Sequence, residues 1–79
     1  MKTREKVEIA RDEMAWRRRI REALGPGPQT VPAVARALRA PTEEVMYWMM
    51  SLRKYGQLAE SEEADADGYY EYRWIGKDS

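Results

Sequence analysis

Apolar positions along the chain fall into blocks separated by polar or Gly/Pro-rich breaks. In the first block Val7, Met14, Ile20 and Leu24 recur at roughly helical spacing, and Trp16 and Ala23 widen the stripe, which predicts a helix over Lys2–Leu24. The stripe strengthens from Met14. The core helix is therefore expected at Met14–Leu24, with Lys2–Glu13 as a charge-rich extension. Gly25-Pro26-Gly27-Pro28 ends it, because glycine accepts the helix-terminating backbone conformation and the prolines prevent the helix from resuming. Thr30 is placed to cap a second helix, Val31–Leu38. Pro32 is tolerated in its first turn, where backbone N–H groups are unpaired anyway. Val31, Val34, Ala35 and Leu38 form its apolar face. After the short turn Arg39-Ala40, Pro41 opens a third helix, Thr42–Tyr55, whose inward stripe reads Val45, Trp48 or Met49, Leu52 and Tyr55. Glu43 and Glu44 suit its first turn, where the helix dipole favours negative charge, and Gly56 stops it.

The pattern then changes from helical spacing to alternation. Gln57–Glu60 is a short strand centred on Leu58, and Ser61–Gly68 is an acidic loop. Tyr69–Ile75 alternates clearly, with Tyr70, Tyr72 and Trp74 on one face and Tyr69, Glu71, Arg73 and Ile75 on the other. The two strands are expected to form a hairpin turning near Asp67-Gly68.

Composition narrows the chemistry. A chain of 79 residues permits one domain and one small core. It contains no Cys and no His, which removes disulfides, thiolate chemistry, the commonest general base and the commonest metal ligand. Ser51, Ser61 and Ser79 have no imidazole partner. Neither an enzyme nor a cofactor is expected. No apolar run reaches the ~20 residues of a membrane-spanning helix, and the charged start has no signal-peptide core, so a cytoplasmic protein without membrane contact is expected. Net charge is zero but unevenly distributed. Residues 1–39 hold ten Lys/Arg and five Asp/Glu, whereas residues 40–79 hold four and nine. Such asymmetry bears on which partners the surface attracts.

The order helix, helix, short turn, helix, glycine, hairpin resembles the winged helix-turn-helix family across about residues 14–75. Thr30-Val31-Pro32-Ala33-Val34-Ala35-Arg36-Ala37-Leu38 looks like the family's first motif helix, with small Ala35 where two helices cross closely. Pro41-Thr42-Glu43-Glu44-Val45 looks like the start of its recognition helix. Leu52-Arg53-Lys54-Tyr55-Gly56-Gln57-Leu58 looks like its passage into the wing, and Tyr70, Tyr72 and Trp74 match the returning wing strand. The resemblance implies a mostly α fold with a small β wing: a three-helix winged helix-turn-helix domain at 14–75, a helical extension at 1–13 and a tail at 76–79. The family's turn often carries glycine where Arg39 stands, and an arginine is strained in left-handed backbone, so a differently wound turn is expected here.

The resemblance further implies a DNA-binding transcriptional regulator, with the third helix in the major groove of duplex DNA and the wing on the backbone. Arg36, Arg39, Arg53 and Lys54 are the candidate phosphate contacts, and Tyr47 and Ser51 the candidates to reach bases or sugars. Glu43 and Glu44 at the helix start oppose this, as do Glu60, Glu62, Glu63, Asp65 and Asp67 in a wing without Lys or Arg. The rival reading is a protein–protein interaction module of the same fold without DNA affinity. Met46, Tyr47, Trp48, Met49 and Met50 run consecutively, and a helix buries only part of its circumference on one core, so some of Met46, Tyr47 and Met50 must face outward. A homodimer is expected, with Val7, Met14 and Trp16 of the first helix as candidate contacts; a solvated helix end is the alternative. The Arg17-Arg18-Arg19-Arg21 cluster reads as a solvated helix face, with phosphate contact as the alternative.

Overall fold

The structure, a computed structural model, describes the backbone of residues 6–76 and the side chains of residues 12–76. The described residues form three helices and a three-stranded antiparallel sheet, and about half of the chain is helical. In chain order these are α1 (Lys6–Leu24), β1 (Gln29–Thr30), α2 (Val31–Leu38), α3 (Thr42–Lys54), β2 (Leu58–Glu60) and β3 (Glu71–Trp74).

Each helix boundary has a local cause. α1 runs through Met14 without interruption and ends at Gly25, whose N–H reaches the Glu22 carbonyl at 3.2 Å. Thr30 caps α2 as expected, its hydroxyl accepting from the Ala33 N–H at 3.3 Å, with Pro32 in the first turn. At the far end of α2 the differently wound turn expected from Arg39 does not occur. Arg39 itself adopts the left-handed conformation, φ 53° and ψ 46°. The Arg39 and Ala40 N–H groups then reach the Arg36 and Ala35 carbonyls at 3.2 and 3.0 Å, the double bond pattern that normally recruits glycine. A guanidinium from another helix completes this end: Arg19 Nη2 donates to the Leu38 carbonyl at 3.0 Å. The two hydrogen-bonded closures offset the roughly 1–2 kcal/mol that left-handed backbone costs an L-residue. α3 ends at Lys54, one residue earlier than the sequence pattern predicts, and Gly56 at φ 79° turns the chain toward the sheet.

The core is built from α1 (Ile20, Leu24), α2 (Val31, Val34, Ala35), α3 (Val45, Met49, Leu52), β2 (Leu58) and β3 (Tyr72). Of the inward positions expected on α3, Met49 is fully buried. Trp48 lies at the core margin, and Tyr55 is 67% exposed because the helix has ended by the time the chain reaches it. Met14, expected on the apolar stripe of α1, is also 67% exposed. Trp16 turns inward, with its ring stacked on Trp48 (centroids 6.2 Å, planes 12° apart) and the Arg19 guanidinium over the ring, 4.7 Å from its centroid. This stack ties α1 to α3 along one side.

The sheet has one strand more than the pattern of apolar residues reveals. β1 pairs with β3 (Gln29 opposite Tyr72, Thr30 opposite Glu71), β2 pairs with β3 on the other side (Leu58 opposite Trp74, Glu60 opposite Tyr72), and the order is β1-β3-β2. β3 is shorter than the alternating run. Tyr69 and Tyr70 precede it and are exposed, so Tyr70 does not share the inward face with Tyr72 and Trp74. The acidic loop folds on itself. The Asp65 carboxylate accepts the N–H groups of Asp67 and Tyr69, both at 2.9 Å, and Gly68 at φ 88° closes the turn. Among the described residues no helix is long and apolar enough to cross a membrane.

Candidate functional site

The inward stripe of α3 fixes what its opposite side presents. With Val45, Met49 and Leu52 in the core, residues 43, 47 and 54 project away from it at about 3.6 residues per turn. Glu43, Met46, Tyr47, Met50, Ser51, Lys54 and Tyr55 line a shallow, mainly apolar depression along this outer side. Tyr47 is 66% and Met46 47% exposed, large apolar surfaces left uncovered among the described residues, while Met50 is half-buried and packs partly on the core. The Tyr47 and Trp48 rings meet nearly at right angles (84°, centroids 5.1 Å apart), so the Trp16–Trp48 stack buttresses Tyr47. Neither Glu43 nor Lys54 has an ion-pair partner among the described residues.

A second depression lies at the α2–α3 turn, lined by Pro32, Arg36, Arg39 and Thr42 among others. Arg36 and Arg39 are both exposed there. Of the six residues expected to face DNA, Tyr47, Ser51 and Lys54 therefore meet on α3, and Arg36 and Arg39 meet at the turn. Arg53 joins neither group. It projects toward the sheet and pairs with the Glu60 carboxylate at 3.3 Å. The other Glu60 oxygen accepts the Tyr72 hydroxyl at 2.8 Å. Burial, and then the bond to Glu60, pushes the Tyr72 phenol up to about 12, so it stays neutral and donates to the carboxylate. Arg53 and Glu60, the last residue of β2, are in this way engaged in holding β2 against β3 and α3.

The candidates for protein contact divide likewise. Met46, Tyr47 and Met50 form one surface on α3. Met14 lies exposed on α1, and Trp16 is occupied by its stack with Trp48. The Val7 side chain lies outside the described residues. Two residues of the α3 depression escaped the reading of the sequence. In the sequence Glu43 reads as a helix-start residue and an obstacle to DNA, and Tyr55 as an inward position; the glycine directly after Tyr55 is the signal that helical spacing no longer applies there. Arg19 was read as solvated, yet its head closes the end of α2. Among the described residues no group of three or more acidic side chains is placed to hold a metal ion. No family model, no curated protein and no solved structure matches the chain.

Proposed function

We propose that the chain is a winged-helix module that holds another protein on the outer side of α3. The element order and the β1-β3-β2 sheet support the winged-helix reading. The observation that carries the docking role is the uncovered apolar surface of Met46 and Tyr47 beside half-buried Met50, rigidly backed by the Trp16–Trp48 stack. Aromatic and methionine side chains held on a rigid helix lose little conformational freedom on binding and bury much area, the properties of interface anchors.

Electrostatics favours protein over nucleic acid at this surface. On the outer side of α3 one cation, Lys54, is matched by Glu43, Arg53 is turned to Glu60, and the loop presents exposed Glu62, Glu63, Asp65 and Asp67. Phosphate recognition needs an excess of cations where the backbone would lie. Duplex DNA is the second reading, favoured by exposed Arg36 and Arg39 at the turn that leads into α3. A photo-crosslinking side chain in place of Tyr47, activated in cells, separates the two. Protein adducts are expected; adducts with nucleic acid alone refute docking and support the DNA reading. The complementary assay is a shift of random duplex at low salt. A salt-sensitive shift that Arg36→Ala and Arg39→Ala abolish would decide for DNA.

A further inference from the structure

We infer that the partner on the outer side of α3 is a second copy of this chain, packed antiparallel along α3 about a two-fold axis; this rests on the docking reading above. The groove lining has the symmetry that such an axis requires. A two-fold pairing of identical surfaces brings residue i of one copy to residue j of the other and j to i. Centred between Trp48 and Met49, it sets Glu43 against Lys54, Met46 against Ser51, and Tyr47 against Met50, so that each of these residues of the groove finds its counterpart in the same list.

Charge and shape agree with that register. Glu43 and Lys54 stand at opposite ends of the outer stripe, about 16 Å apart along the axis, and neither is paired within the chain among the described residues. In the antiparallel register each carboxylate meets an ammonium at both ends of the seam. In the parallel register Glu43 meets Glu43 and Lys54 meets Lys54, which repels at both ends. Between the charges lie the two exposed anchors, Met46 and Tyr47, opposite the smaller Ser51 and the half-buried Met50. Large groups thus face small or recessed ones, the arrangement that lets two helices approach closely. One helix pair buries less than the ~1,200 Å² of standard complexes, so the dimer forms in the micromolar-to-millimolar range and dissociates readily.

The test uses charge reversal and restoration, read by sedimentation equilibrium from micromolar concentration to about 1 mM. The expected result is a wild-type mass rising toward two chains. Glu43→Lys and Lys54→Glu each weaken association about tenfold, and the double variant returns it to the wild-type value. A wild type that remains monomeric overturns the proposal, as do single variants that associate like wild type or a double variant no better than the singles. Circular dichroism confirms that each variant is folded. A second measurement uses the absence of cysteine. Mixed under oxidation, Tyr47→Cys and Met50→Cys proteins should form the mixed disulfide in preference to either homodisulfide, and the reverse preference overturns the register. Failure here is distinguishable from failure of the docking reading. Protein adducts at position 47 that join the chain only to a different protein refute the second copy and leave docking intact, whereas adducts with nucleic acid alone refute both.

Discussion

The two sides of α3 are made of similar residues and have opposite fates. Met49 is fully buried and Met46, three residues earlier, is 47% exposed; Val45 and Leu52 lie in the core while Tyr47 and Tyr55 stand in solvent. Composition does not separate the sides. Both are rich in large apolar groups, because a helix in so small a domain meets one core along one stripe and leaves the rest of its circumference open. What differs is charge. The inner stripe carries none, whereas the outer one is bounded by Glu43 and Lys54. An apolar strip with opposite charges at its ends has a direction, and a surface with a direction can choose a partner and a register.

Single substitutions put this contrast to the test. The largest effect is expected inside: Met49→Ala leaves a cavity in the core and costs about 2–5 kcal/mol, measured by chemical denaturation. For a domain of this size that is a large part of the whole stability. If Met49→Ala costs no more than Met46→Ala, the division of α3 into two sides is wrong.

Two tyrosines of the sheet region extend the same comparison to alkaline pH. Tyr72 is buried against Glu60 and its phenol is held up at about 12 against an ordinary value of 10.0, while Tyr70 is exposed. The folded state holds the Tyr72 proton more tightly than the unfolded chain does. The stabilisation from this group is therefore fully present below pH 10 and lost as pH rises through 12. Tyr72→Phe should flatten the fall in stability across that window, as followed by urea midpoints at a series of pH values. An unflattened fall would contradict the burial of Tyr72.

At the α2 end, Arg39→Gly should raise stability by roughly 0.5–1 kcal/mol, since glycine adopts the left-handed conformation without the strain that Arg39 bears. A loss of stability would mean that the Arg39 side chain makes a stabilising contact. The smallest change in stability is expected on the outer side. Tyr47→Ala should alter the unfolding free energy by no more than about 0.5 kcal/mol, while weakening the proposed docking. A loss comparable to that of Met49→Ala would show that Tyr47 belongs to the fold and not to an interface.

Much of the helical architecture was legible in the residues. Thr30, Pro32 and the Gly25-Pro26-Gly27-Pro28 break place α2, and Val45, Met49 and Leu52 repeat at helical spacing. β1 was not legible, because Gln29 and Thr30 have no alternation of their own and become a strand only by lying beside Glu71 and Tyr72. Nor were the partners of the arginines. Arg53 is a generic basic residue until Glu60 is brought beside it, and Arg19 an ordinary surface residue until the end of α2 arrives with an open carbonyl.

By itself the sequence determined the helices, their caps and breaks, the returning strand and the exclusion of thiol and imidazole chemistry, because these depend on local backbone preference, short-range periodicity and composition. Tertiary structure alone decided which aromatic rings close on each other, which cations are already occupied, and that Glu43, Tyr47, Met50 and Lys54 share one uncovered side. Those outcomes depend on the direction in which each helix meets the core, and that direction is set by contacts between residues far apart in the chain.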